Sequence, residues 1–282
     1  MKWRGGRRSG NIEDRRGLSP VAGGLGVGGV VLALIGYFVF GVDPATTLRA
    51  VEGAAPAAQN QTGVRGETDD EAGQFVDVVE TSTAEVWEDL FAASGQTYQR
   101  PAAVVLYDRA TSTKCGQGQA AMGPFYCPAD QRIYLDLTFW EELSGRFGAE
   151  GEAARAYVIA HEVAHHVQNL TGAMAQSRRL GAQGADSGAV RLELQADCYA
   201  GVWAARAAAA SGGAVVLGPE DIAQGLRAAS AIGDDTLQQQ AGGRIVPDAF
   251  THGTSEQRMR WFRRGAETGD PGACDTFSAS RL

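Results

Sequence analysis

The sequence has no C-x-x-C pair, no internal repeat and no excess of basic over acidic residues beyond its first 42 positions. The first absence argues against a zinc site built from cysteines, and the second against a repeat architecture. The third argues against nucleic acid as a partner, because phosphate binding needs grouped Lys and Arg. Before position 43 there are six basic residues and two acidic ones; the remainder carries 19 basic and 31 acidic residues, a net of −12. Histidine is also scarce, with four among 282 residues, and three of those four fall within six positions.

One stretch lacks charge altogether. Val21 to Val42 is 22 residues without a charged side chain, long enough as a helix to cross the roughly 30 Å hydrocarbon core of a bilayer. Its glycines are tolerated in lipid. Basic residues precede it and Asp43 follows, so the positive-inside rule predicts a cytoplasmic N-terminus and an extracytoplasmic body, attached to a lipid bilayer through residues 21–42. A cleavable signal peptide, with small residues near Ala55 and Ala57, is the alternative, and both readings put the body outside the cytoplasm. Cys115, Cys127, Cys198 and Cys274 all follow the stretch, and an even set in an oxidising compartment pairs. Of three connectivities, Cys115–Cys127 is favoured by its short Gly-rich loop, which leaves Cys198–Cys274.

The expected organisation is a cytoplasmic tail over 1–20, a transmembrane helix over 21–42, a flexible linker over 43–70 and one domain over 71–282. Residues 74–93 place apolar side chains at helical spacing. The runs 102–107 and 132–136 read as strands, with a Gly- and Pro-rich loop over 111–130 between them. Further helices are expected over 137–147, 151–170 and 189–210, from Pro219 onward, and over 255–266, the last opened by Thr254 and Gln257 as a capping box. Residues 173–188 read as a loop, with a short helical turn within it as an alternative. The fold class is therefore α+β, mostly helical, with a sheet of two to four strands.

Chemistry concentrates in His161-Glu162-Val163-Ala164-His165-His166, which contains H-E-x-x-H. On a helix His161 and His165 lie one turn apart on one face and can grip one metal ion, with Glu162 beside it to handle the proton of a water molecule. A catalytic zinc needs a third protein ligand, and Glu193 is the candidate. Asp197, one turn further, shares its face and can hold the outer nitrogen of a zinc-bound histidine. His252 is the only histidine outside the motif. It is the candidate hydrogen-bond donor to an oxyanion, with an ordinary surface-loop histidine as the alternative. Arg258 could support His252 or pair with Asp197. His166, rotated about 100° from His165, belongs to packing around the motif rather than to the metal face. A peptide adding as an extra strand along 132–136 would supply sequence-tolerant affinity.

HEVAHHVQ, ELQADCYAG and HGTSEQR together resemble the bacterial family of membrane-anchored neutral zinc metallopeptidases, over about residues 71–282, and YCPADQRIYLD fits the same pattern. More broadly the arrangement is similar to the gluzincins. The resemblance implies a zincin-like domain behind one transmembrane helix in the inner membrane. It implies Zn2+ held by His161, His165 and Glu193, with Glu162 as catalytic acid/base acting on a peptide or protein substrate. A non-hydrolytic metal-binding or scaffolding protein retaining the fold is the alternative. A purely structural metal would need His166 or His252 as a fourth ligand.

Overall fold

A computed structural model describes residues 1–18 and 62–282. Among the described residues seven strands form two sheets: β1 (Ile12–Asp14), β2 (Val64–Arg65), β3 (Ala103–Tyr107), β4 (Ala110–Thr113), β5 (Gly116–Gln119), β6 (Phe125–Cys127) and β7 (Arg132–Asp136). The larger has the order β2-β1-β3-β7-β6, with β1, β3 and β7 parallel and antiparallel strands at both edges. β4 and β5 make a separate hairpin, which the Gly-rich loop expectation missed. Eight helices are described: α1 (Glu71–Ala93), α2 (Phe139–Gly145), α3 (Glu152–Thr171), α4 (Ala173–Arg179), α5 (Gly188–Ala210), α6 (Pro219–Ala231), α7 (Asp234–Gln240) and α8 (Ser255–Thr268). The class is mixed α+β. α1 is the crossover that lets β1 and β3 run parallel.

α5 is the central helix and packs against α1, α3, α4 and α8. Its approach to α8 is a backbone-on-backbone contact. A Cβ on Gly201 would sit 2.1 Å from the Phe262 carbonyl oxygen, and one on Gly265 would sit 1.9 Å from the Cys198 carbonyl oxygen. Only glycine fits at either position, and this closeness carries Arg258 of α8 to the face of α5 that bears Asp197. Ser187 caps α5 by accepting from the Val190 N–H, and Thr254 and Gln257 form the reciprocal box that starts α8.

The disulfides are Cys115–Cys127 and Cys198–Cys274. The first fastens the β4–β5 hairpin to β6, and the second ties the C-terminal segment to α5.

The N-terminal residues overturn an expectation. Residues 1–18 are not a tail separate from the domain, because Ile12–Asp14 is an inner strand of the larger sheet, hydrogen-bonded between β2 and β3. Trp3 is buried edge-to-face against Phe75 at 5.1 Å, and Lys2 bridges to Val216. Asp77 accepts the N–H groups of Ser9 and Gly10. Charge hid this strand. Glu13 and Arg15 are both buried, but they pair at 2.7 Å, and Arg15 also donates to the Thr111 hydroxyl. A buried ion pair with its remaining hydrogen bonds filled is tolerated where a lone charge is not. Part of the expected linker is folded too, since Val64 and Arg65 pair with β1.

The expected span over 21–42 lies outside the described residues. Among the described residues no helix is long and apolar enough to cross a membrane. The single-pass arrangement, with residues 1–20 on one side of a membrane and 71–282 on the other, is corrected by the sheet itself. Asp14 and Val64 are direct partners, so residues 1–18 and 62–282 belong to one folded body on one side.

Candidate metal centre

α3 is buried along most of its length, and its third and fourth turns present His161 and His165 on one face with ring centroids 4.7 Å apart and planes at 87°. α5 brings Glu193 across from them. The Nε2 of His161 lies 3.1 Å from one Glu193 carboxylate oxygen, and the Nε2 of His165 lies 3.4 Å from the other. Ligand atoms of these three residues all fall within 4.8 Å of one another, and no fourth His, Cys, Asp or Glu among the described residues joins the group. Two imidazoles and one carboxylate converging, with no fourth protein ligand among the described residues, is the donor set that suits a catalytic zinc.

Behind His161 stands a buried ionic assembly. Its Nδ1 donates to Asp197 at 2.9 Å. Asp197 receives two further bonds from Arg258, from Nε at 2.8 Å and Nη2 at 2.9 Å, and one from the Tyr157 hydroxyl. Asp197 and Arg258 are almost wholly inaccessible. Burial alone would neutralise Asp197, but the neighbouring guanidinium and the His161 bond hold its carboxyl below the ordinary value. Burial also opposes protonation of His161. Its bonds to Asp197 and Glu193 outweigh that and push its pKa up to about 9. In the metal-free state His161 therefore carries a proton between two carboxylates, and a metal ion would take that proton's place. Of its two open roles, Arg258 takes the pairing with Asp197.

Behind His165 the support is neutral. Its Nδ1 meets the Gln168 side-chain oxygen at 2.8 Å, and the Gln168 amide nitrogen donates to the Leu192 carbonyl at 2.7 Å. Gln168 was not singled out in the sequence, although its place one turn after His165 on the same helix was a usable signal.

Glu162 lies beside the ligand pair and is buried. Burial raises its pKa, against the pull of the His165 and His161 charges. His166 points elsewhere: its Nε2 donates to the Gln99 carbonyl at 2.7 Å, and its Nδ1 accepts from the Tyr126 hydroxyl at 3.0 Å. Burial lowers its pKa, so it is a neutral packing residue between α3 and β6.

His252 sits at the rim, with its side chain 47% exposed, and its Nδ1 lies 3.2 Å from Asp234. Burial works against a charge on His252, but the bond to Asp234 and the charge of Glu193 raise its pKa. Asp234 is the functional candidate that sequence reasoning missed. Its other oxygen accepts the backbone N–H groups of Thr251, His252 and Gly253 at 2.7–3.0 Å, which fixes the loop carrying His252. Glycine followed by two acids at a helix start was visible, but nothing in the sequence said what they reach.

The expected peptide-binding strand over 132–136 is corrected as well. β7 lies between β3 and β6, so both of its edges are hydrogen-bonded. The edge strand on that side of the sheet is β6, and its Tyr126 hydroxyl accepts from Asn169 of α3 at 3.0 Å.

Comparison with known proteins agrees with this geometry. A model of the family described as "putative neutral zinc metallopeptidase" matches residues 1–277, so its match includes the N-terminal strand. The chain is 45% identical over 297 aligned positions to the uncharacterized protein YpfJ of Escherichia coli, covering 99% of this chain and all of that protein. It is 46% identical over 204 positions to the uncharacterized protein Mb2605 of Mycobacterium bovis, covering 70% of this chain and 68% of that one. No solved structure matches. The chain belongs to the neutral zinc metallopeptidase family.

Proposed function

We propose that this member of the neutral zinc metallopeptidase family is a working peptidase with a gluzincin-type ligand set. His161, His165 and Glu193 hold Zn2+, Glu162 is the general base, and His252 stabilises the oxyanion. The observation that carries the reading is the convergence of two imidazoles and one carboxylate within 4.8 Å, with no fourth side chain among the described residues closing the group. A closed four-ligand sphere would favour a structural metal instead.

When bound, zinc at such a site lowers the pKa of a water molecule and polarises the substrate carbonyl. Glu162, raised in pKa by its burial, takes the proton of the attacking water and then delivers it to the leaving amine. His252, whose pKa is raised against its burial by the bond to Asp234 and the charge of Glu193, donates a hydrogen bond to the carbonyl oxygen as negative charge develops there. β6, the free edge beside α3, offers backbone groups to an extended peptide, so affinity would depend little on its sequence. The two disulfides favour an oxidising, extracytoplasmic compartment.

Glu162→Gln tests the reading. The variant should bind zinc with the stoichiometry of the wild type and hydrolyse no member of a peptide library that the wild type cleaves. A zinc-loaded wild type that cleaves nothing would return the chain to a non-hydrolytic metal-binding role.

A further inference from the structure

The neutral support behind His165 does not end at Gln168. The Gln168 amide nitrogen has two hydrogens. One goes to the Leu192 carbonyl, and the other to the Gln195 side-chain oxygen at 3.2 Å. The Gln195 amide nitrogen in turn donates to the carbonyl of Cys274 at 3.1 Å. Gln168 and Gln195 are both buried.

The polarity of this chain is fixed at two points. Leu192 and Cys274 offer carbonyl oxygens, which can only accept. The Gln168 nitrogen must face Leu192, so its oxygen must face His165. The His165 Nδ1 must then be the N–H, and its Nε2 is left with the lone pair a metal needs. In the same way Gln195 must turn its oxygen to Gln168, because its nitrogen is claimed by Cys274.

Cys274 belongs to the C-terminal segment, which is fastened at several places to α5. The Cys198–Cys274 disulfide is one. The Arg191 guanidinium donates to the carbonyls of Thr276 and Ala279 at 2.5 Å and 3.1 Å, and the Thr276 hydroxyl donates back to the Arg191 carbonyl at 2.6 Å. Cys198 directly follows Asp197, so the same short piece of α5 that backs His161 also anchors the segment that backs His165.

We propose that the C-terminal segment is the outer wall of the metal centre, and that Gln168 and Gln195 are positioning residues linking the Cys198–Cys274 disulfide to the orientation and tautomer of His165. The inference rests on the zinc-site reading above. The C-terminal segment then contributes to metal retention although none of its side chains belongs to the ligand group.

The test is zinc affinity of the full chain, measured by competition with a chromophoric chelator, for wild type, Gln168→Leu, Gln195→Leu and the double variant Cys198→Ser with Cys274→Ser. Cobalt absorption spectra of the same four proteins report ligand geometry, and thermal unfolding of each apoprotein separates site effects from loss of fold. Gln168→Leu should weaken zinc by about 10–100-fold, the usual range for a residue that orients a ligand. Gln195→Leu and the cysteine pair should weaken it less, and all three should change the cobalt spectrum. Wild-type affinity in Gln168→Leu and Gln195→Leu would overturn the proposal. So would wild-type affinity in a folded cysteine-pair variant, which would detach the segment from the site. If that variant does not fold, Gln195→Leu alone decides. A wild type that binds no zinc would instead sink the underlying reading, so the two failures are distinguishable.

Discussion

His161 and His165 stand one turn apart on the same helix and face the same point, yet opposite chemistry supports them. Behind His161 are a carboxylate, a guanidinium and a phenol, all buried. Behind His165 are two amides and two backbone carbonyls. The ionic side does more than orient. Asp197 draws a proton onto His161 in the metal-free state and strengthens the imidazole as a donor in the loaded one. The neutral side fixes geometry and tautomer without adding charge. Three carboxylates, Glu162, Glu193 and Asp197, already adjoin the ligand pair, and a fourth on the His165 side would add repulsion that only one guanidinium is placed to offset. The difference shows a centre in which charge is supplied from one flank and rigidity from the other.

Breaking the ionic flank should have the largest effect. Asp197→Asn preserves shape but leaves Arg258 buried without its counter-charge, a loss of about 3–5 kcal/mol. Denaturant unfolding of the apoprotein should show it, and an unchanged midpoint would mean that other groups compensate Arg258. The rim comes next. His252→Ala should lower kcat by about 10²–10³-fold if the imidazole holds the oxyanion, with zinc content unchanged; near-normal kcat would make it a plain loop residue. The neutral flank should cost least in fold stability. Gln168→Leu strands the His165 Nδ1–H and the Gln195 side-chain oxygen, about 1–3 kcal/mol in the same unfolding assay. A loss as large as that of Asp197→Asn would erase the contrast between the flanks.

The ionic flank was the more legible in sequence. His161, His165 and Glu162 follow from helical spacing, and Glu193 with Asp197 from a single turn of a second helix. Gln168 obeys the same one-turn rule but carries no charge to draw attention. Its partner Gln195 lies between the two acids of interest and was passed over for the same reason. Asp234 was invisible because its value comes from a loop 17–19 residues away that wraps its carboxylate. Strand β1 was missed for a related reason. Periodicity finds strands through apolar alternation, and Glu13 and Arg15 are buried by pairing with each other. The longer helices were read within a few residues; of the seven-residue ones, α2 was expected, α4 falls where a short turn was only an alternative, and α7 was not expected.

The contrast between the flanks can be read without any substrate, from the pH dependence of the metal-free fold. His161 titrates near 9 when folded against an ordinary value of 6.5. The folded state therefore binds this proton more tightly than the unfolded chain. The stabilisation it supplies is fully present below about 6.5 and is lost as pH rises through 9. Apoprotein unfolded by urea at a series of pH values should lose stability across that window. Asp197→Asn should flatten the loss, because the negative charge of the first of the two partners that raise His161 is gone. Gln168→Leu should leave the slope as it is, because a neutral amide behind His165 does not set the charge on His161. Saturating zinc should remove the fall in the wild type, since an ion that replaces the proton makes folding stability rise, not fall, with pH in this range. Equal flattening by both substitutions would mean that the two histidines titrate as one unit and that the division between a charged and a neutral flank is only geometric.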